Sequence, residues 1–383
     1  MKTLLFFAGI SICMLHTNAQ TQTNNNSLVQ FVFTSDVHYG IARKAFRGAE
    51  NVDAHIVNMA MVKQINSLPD LILPADNGVQ AGKKIGAIDF LAETGDIANR
   101  MEPPYQNAAA SWKQFTIDFI EGVTILDKLH HPTAILPVPG NHDASNAIGF
   151  YRPMQPLNDA SSMAGIYNLV FHPLVLKTKE TYNYQTDKIN YSKDIGGIHF
   201  VFINIWPDSA TRIWMDNDLK AINIKTPVII FAHDPPDGDP KHFTNPNGNH
   251  DINATDKFEN LVPEVYKDDI AVTPLKTTIE QNGFVSFLKT HANIKAYFHG
   301  HNNWNEYYVY TGPDNDIRLP VFRVDSPMKG RLSASDETKL SFQFVTIDTG
   351  TKVMTVRECL WNKDPDQSMA PAKWGSSQSV SLK

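Results

Sequence analysis

Ala134-Ile-Leu-Pro-Val-Pro-Gly-Asn-His-Asp143 is the stretch on which the reading of this chain turns. An apolar run suited to a buried strand stops at Gly140, and three residues capable of chemistry follow. Asn141 offers a neutral oxygen to a metal, His142 can donate or accept a proton, and Asp143 can hold the imidazole in one tautomer. A strand that delivers such groups at its C-terminal end is how open α/β sheets build sites. The same four letters recur at Gly248-Asn249-His250-Asp251, but no apolar strand leads into them. Residues 237 to 256 are rich in Pro, Gly, Asn and Asp, so the second copy reads as part of a long loop, at most a lid.

Four more apolar runs end in the same manner. Val29 to Phe33 leads to Asp36-Val37-His38, a carboxylate and an imidazole two residues apart, which suits one metal with mixed oxygen and nitrogen ligands. Ile85 to Glu93 leads to Thr94-Gly95-Asp96, where the glycine lets the backbone turn and the aspartate project. Pro227 to Phe231 leads to His233, held at the strand tip by the turn that Pro235 and Pro236 force. Ile294 to Phe298 leads to His299-Gly300-His301-Asn302-Asn303. One such ending is common; five in order, each at a strand tip, point to a metal site.

Between these strands, a helix is expected from Asp53 to Ile65. Another carries Trp112, Phe115, Phe119, Val123 and Leu126 on one apolar face, which is core packing. Residues 40 to 85 read as an insertion covering the site, and 144 to 190 carry no strong pattern. A strand spans Ile198 to Ile205, with His199 as a satisfied core histidine. Helices are expected from Thr211 to Ile222 and near Thr277 to Thr290. Antiparallel strands (306 to 310, 319 to 324) and a hairpin (340 to 347, 352 to 357) complete the sheets, and the polar stretch after Trp361 reads as a mobile tail.

Met1-Lys2, an apolar run from Leu4 to Leu15 and the small Ala19 make a secretory signal, with cleavage expected after Ala19 and a secreted or periplasmic protein as the outcome. That run is too short to span a bilayer comfortably, and no transmembrane anchor is expected after cleavage. Cys13 lies in the signal, so Cys359 alone is left and no intramolecular disulfide is possible. A net charge of −6 argues against a nucleic-acid polymer as partner. The expected organisation is a signal peptide at 1–19, one domain over 27–362 and a polar tail at 363–383.

The order Asp-x-His, Gly-Asp, Gly-Asn-His-Asp, His and Gly-His, from Asp36 to Asn303, resembles the calcineurin-like metallophosphoesterases. Gly300-His-Asn-Asn-Trp-Asn-Glu306 is similar to the end of that signature in the purple-acid-phosphatase-like branch. The resemblance implies an α/β fold, a four-layer αββα sandwich, with two divalent ions (Mn, Fe, Zn or Co) at the strand tips. It implies Asp96 as the bridge, Asp36 and His38 on the first ion, and Asn141, His233 and His301 on the second. It further implies attack on phosphorus by a metal-bridged hydroxide, with His142 as general acid and Asp143 orienting it. A bridged pair of ions can clamp both oxygens of an in-line phosphoryl displacement.

Two departures from the pattern stand out. Position 303 is Asn where the family has a second His, so either Asn303 through its side-chain oxygen or His299 completes the first site. An oxygen there favours a harder ion such as Mn over Zn. Asn99 stands three residues after Asp96, where purple acid phosphatases carry tyrosine, so no tyrosinate-to-iron colour is expected. Arg100 is either a ligand for substrate phosphate or a surface arginine. Tyr39 and Asp234 neighbour the ligands, and Arg323, Asp325 and Lys329 have no assigned place. Few cations flank the motifs, which leans toward diesters over monoesters among small-molecule or lipid head-group phosphate esters. The alternative is a non-catalytic metal or phosphate binder that lost one metal through Asn303, against which His142 speaks; the same metals could also serve a hydrolase of non-phosphate esters.

Overall fold

Phe31 sits where two sheets meet. It stacks on Phe90 of its own sheet at 4.6 Å and meets the edges of Phe200, Phe231 and Phe298 of the other at 5.9, 5.7 and 5.7 Å. The computed structural model describes residues 27–99, 106–144, 159–184, 186–239, 242, 274–367 and 370–383. The signal at 1–19, Arg100 and the second Gly-Asn-His-Asp at 248–251 lie outside the described residues.

In chain order the strands are β1 (Leu28–Thr34), β2 (Ala42–Phe46), β3 (Ala49–Asp53), β4 (Phe90–Glu93), β5 (Ala134–Pro137), β6 (Tyr191–Ile195) and β7 (Ile198–Phe202). They continue with β8 (Val228–Phe231), β9 (Ile294–His299), β10 (Glu306–Tyr310), β11 (Leu319–Arg323), β12 (Ser341–Asp348), β13 (Val353–Leu360) and β14 (Lys373–Ser381). The helices are α1 (Ala54–Ser67), α2 (Ala108–Phe115), α3 (Asn141–Ala144), α4 (Ser161–Phe171), α5 (Ser209–Leu219) and α6 (Pro274–Thr290). The first sheet runs β14-β13-β12-β1-β4-β5 and the second β10-β11-β9-β8-β7-β6, while β2 and β3 pair apart as a hairpin.

Within the first sheet β1, β4 and β5 are parallel, and within the second β7, β8, β9 and β11 are parallel. Except at the start of the edge strand β5, these strands are largely buried on both faces, which is why most read as continuous apolar runs rather than alternating ones. Successive side chains point to opposite faces. Phe298 faces the first sheet, so Tyr297 faces outward, and there Phe284 of α6 packs on it. On the other side α4 lies against β5 and α2 against α4. Helices outside, sheets inside: this is the expected αββα layering.

Several elements differ from expectation. β4 starts only at Phe90. The helix with the Trp112–Phe119 face is α2 continued by a wider π-type turn over Thr116–Glu121, and Leu126 lies beyond it, half-exposed. The β2–β3 hairpin, α4 and β6 appear where no pattern was legible. The stretch after Trp361 is not a loose tail. It returns as β14, which pairs antiparallel with β13 from Val353↔Ser381 to Leu360↔Lys373. Its Ser, Gly and Gln content hides a strand because an edge strand needs few buried side chains. Cys359 is a buried free thiol. Among the described residues no helix is long and apolar enough to cross a membrane.

Candidate metal centre

The tips of both sheets meet at one rim. Asp36 and His38 leave β1, Asp96 leaves β4, Asn141 and His142 leave β5, His233 leaves β8 and His301 leaves β9. Asp36, His38, Asp96, His301 and Asn303 all have positive φ (57°, 42°, 55°, 64° and 64°). Such a conformation costs a non-glycine residue on the order of 1–3 kcal/mol and concentrates where function demands it. Two glycines let the turns touch. A Cβ on Gly95 (φ +96°) would lie 2.2 Å from Gly140 N, and one on Gly140 would lie 2.2 Å from Asp96 Oδ1. Asp96 thereby reaches the backbone N–H of His142 at 2.8 Å.

Asp96 is the hub. Its Oδ2 lies 3.7 Å from His38 Nε2 and 3.8 Å from His142 Nε2, and its Oδ1 lies 3.5 Å from His233 Nε2. His38 Nε2 is also 3.5 Å from Asp36 Oδ1. His233 Nε2 is 3.0 Å from Asn141 Oδ1 and 3.2 Å from His301 Nδ1. The structure therefore brings together Asp36, His38, Asp96, Asn141, His142, His233 and His301, with Asp96 between the two groups expected to share it. Asp36 is aimed by Ser35 Oγ (2.6 Å) and by the His301 N–H (2.9 Å), both on Oδ2, which leaves Oδ1 for the centre.

These residues fit a cation. Asp36 Oδ1, both ring nitrogens of His38 and Asn303 Oδ1 are buried without a hydrogen-bond partner among the described residues. Orphaned buried polar atoms are rare because each carries an uncompensated desolvation cost. The donor set mixes imidazole nitrogen with carboxylate and amide oxygen, as divalent transition ions require. Burial, with the charge of Lys329, drives the His38 imidazole down to about 3, so the ring is neutral and its lone pair available. Burial pushes Asp96 up to about 7, although His233 opposes it. Burial would raise Asp36 too, but the nearby His38 and His233 rings outweigh it and hold the carboxyl below its usual value.

Ring orientations follow from what lies behind each histidine. His233 Nδ1 meets the carbonyl of Thr94 at 2.7 Å and His142 Nδ1 meets the carbonyl of Asn99. A carbonyl can only accept, so Nδ1 carries the hydrogen and Nε2 faces the centre in both. The expected role of Asp143 needs correction. Its carboxylate does not orient His142 but accepts from the backbone N–H groups of Ile97, Ala98 and Gly140 and from Ser162 Oγ. The turn at Gly140 aims it back under the Asp96 loop. His299 stays out of the centre, with Nδ1 donating to Gly300 O and Nε2 accepting from Tyr308 OH, both at 2.9 Å. Tyr39, beside His38, donates its hydroxyl to buried Asp118 at 2.7 Å and does not line the site.

Other contributors, Asp234 apart, had no legible place in the sequence. The loop after β11 is tied to the site by Ser326 Oγ on Asp36 O (2.7 Å) and by Arg331 N on Asn303 O (2.6 Å). It carries Lys329, whose charge acts on His38 and Asp96. Asp239 meets His301 Nε2 at 2.8 Å, and Asp234 meets His242 Nδ1 at 2.6 Å. Arg323 lies over the Trp304 ring at 3.3 Å and pairs with Glu306, and burial pushes the nearby Asp325 up to about 7.

No curated protein matches the sequence. Among solved structures, a dimetal phosphatase from Danio rerio is similar with a TM-score of 0.48 and 9% sequence identity, over 93% of this chain and 99% of that one. The family model described as calcineurin-like phosphoesterase matches residues 29–301, a span that opens on β1 and closes on His301. Since that match takes in most of the sequence and all the strand tips that converge on Asp96, the chain belongs to the calcineurin-like phosphoesterases, metal-dependent hydrolases of phosphate esters.

Proposed function

We propose that this protein is a secreted or periplasmic two-metal phosphoesterase that favours diesters, with Asp36, His38 and Asn303 holding one ion, Asn141, His233 and His301 the other, and Asp96 shared between them. The observation that carries the reading is the convergence on Asp96, whose two oxygens face His38 and His233 at 3.7 and 3.5 Å. Divalent ions held there would supply neutralisation of the phosphoryl oxygens and activation of water for in-line displacement.

The protein's own groups complete the chemistry. His142 is locked through Nδ1 by the Asn99 carbonyl, so Nε2 is the atom that, when the ring is the imidazolium, gives its proton to the departing alcohol oxygen and leaves the neutral Nδ1–H ring behind. Asp143 holds the Asp96 and Asn141 turns in place from behind. Lys329 adds positive charge on the side of His38. A cavity of about 560 Å³ adjoins the His301 side and is lined by Asp237, Asp239, Glu306, Trp304, Tyr308 and Arg323 among others. It leaves room for the second alcohol of a diester, such as a lipid head group.

The test is hydrolysis of bis(p-nitrophenyl) phosphate and p-nitrophenyl phosphate by metal-stripped protein, with Mn, Zn, Fe and Co restored singly. Turnover that needs metal, is faster on the diester, and is lost in His142→Ala and Asp96→Asn supports the proposal. Absence of turnover with every metal overturns it in favour of a binding protein.

A further inference from the structure

The second metal position has a brace that no motif contains. His301 turns Nδ1 toward His233 Nε2 at 3.2 Å, while its other nitrogen, Nε2, meets Asp239 Oδ2 at 2.8 Å. An ionised carboxylate only accepts, so Nε2 carries the hydrogen and Nδ1 keeps its lone pair. His233 repeats the arrangement with a different acceptor, the Thr94 carbonyl. Two imidazole lone pairs thus converge. Their 3.2 Å gap is close to the roughly 3.3 Å between two nitrogens that both lie about 2.0–2.1 Å from one tetrahedral ion.

Asp239 is itself held. Its backbone carbonyl accepts from His242 N at 2.9 Å, its N–H lies 3.4 Å from Asp234 Oδ2, and that same oxygen receives His242 Nδ1 at 2.6 Å. Gly238 supplies the tight turn, with φ +68° and its N–H on Pro235 O at 2.8 Å. Asp234 is anchored in turn, because its carbonyl accepts from the Tyr297 hydroxyl at 2.9 Å. The run Asp234-Pro-Pro-Asp-Gly-Asp239 is therefore a folded clip that begins next to one histidine of the pair and ends on the other.

We propose that Asp239 is a positioning residue for the second metal: it fixes His301 in the Nε2–H tautomer and makes Nδ1 the ligating atom, with the Asp234–His242 pair holding Asp239 in register. The role presupposes the two-ion centre proposed above. Carboxylates behind metal-bound histidines fix the ring and raise its basicity, and their loss lowers metal affinity by roughly 10–100-fold.

The experiment is calorimetric titration of metal-stripped wild type, Asp239→Ala and Asp239→Asn with Mn, against a competing chelator, with thermal unfolding of each metal-free form as the folding control. Wild type should take two ions. Asp239→Ala should keep one at wild-type affinity and lose roughly 10–100-fold on the other. Asp239→Asn, whose amide oxygen can still accept from Nε2, should lose less, and both metal-free variants should melt with the wild type. Two ions bound equally well by wild type and Asp239→Ala would overturn the role of Asp239 while leaving the two-metal reading intact. No ion bound by wild type would overturn both. Three ions in wild type, one of them lost in Asp239→Ala, would overturn the positioning role and make Asp239, His242 and His301 a third site, since their donor atoms lie within 4.8 Å of one another.

Discussion

Asp143 Oδ2 accepts a hydrogen bond of 3.0 Å from the backbone N–H of Ile97, the residue after Asp96. The same oxygen takes the Gly140 N–H at 3.0 Å, while Oδ1 takes the Ala98 N–H at 2.9 Å and Ser162 Oγ at 2.6 Å. One fully buried carboxylate therefore joins the turn after β4, the turn after β5 and the start of α4. Asp143→Ala leaves these donors bare and should lower stability by about 3 kcal/mol or more, read from the urea midpoint. His142→Ala should cost little stability, within about 1 kcal/mol, while abolishing turnover. An Asp143→Ala protein as stable as wild type would remove the case for this brace.

Asn303 and His299 can be separated as candidates for the first metal. Asn303 keeps a buried oxygen without a partner among the described residues, whereas both nitrogens of His299 are engaged. Asn303→Ala should weaken one of the two ions, and His299→Ala should leave both affinities unchanged. Asn303→His should shift preference from Mn toward Zn, because imidazole is the softer donor. Equal Mn-to-Zn affinity ratios in wild type and Asn303→His would show that position 303 does not reach the ion.

Removing metal should loosen the whole sandwich. Donor atoms of Asp36, Asp96 and His233 lie within 4.8 Å of one another, and they come from both sheets. Without a cation the two carboxylates repel. Metal at 100 times its Kd should therefore raise stability by about 2.7 kcal/mol, visible as a higher Tm. In metal-free protein Asp96→Asn should melt above wild type, since it removes a carboxylate whose charge burial disfavours, and it should gain little on adding metal. A wild-type Tm that ignores chelators would refute this.

His199 bridges Asp194 and Asp218, with Nδ1 and Nε2 each 2.8 Å from a carboxylate oxygen. Burial alone would lower its pKa, but the two hydrogen bonds outweigh burial and raise it above 6.5. A raised imidazole contributes stability that is fully present below the unfolded value and fades as pH rises through the folded one. Wild type should therefore exceed His199→Gln in stability by more at about pH 5 than at about pH 9, as denaturant midpoints would record. The exposure of Asp194 keeps the effect small. A gap that is the same at both pH values would contradict the bridge.

The strand tips were legible because each is local: an apolar run, a glycine or proline, then a reactive side chain. His199 is legible too, since a histidine amid a fully apolar strand needs hydrogen-bond partners, here Asp194 and Asp218. What escaped lies in long-range approach. Asp143 follows His142 and adjacency suggests contact, yet the turn sends the carboxylate to Ile97 and Ala98. Lys329 acts on the centre from a loop fastened at Asp36, and Asp239 meets His301 from a turn fastened at Asp234. α4 buries small residues such as Ser162 and Ala164 beside Met163 and Ile166, too mixed a face to stand out by period.

β14 carries a consequence for how copies of the protein meet one another. Lys373-Trp-Gly-Ser-Ser-Gln-Ser-Val-Ser381 closes the margin of the first sheet with polar, poorly adhesive side chains, and a register shift between Arg357 and Cys359 bends the pairing. Uncovered, β13 would present an eight-residue open ladder, and open ladders template association with other chains. The reactive rim begins three strands inward from β14, at β1. Deleting residues 370–383 should thus yield a protein that scatters light on standing while its soluble fraction still takes up metal, and a tag fused there should be given a flexible spacer so that the margin stays sealed.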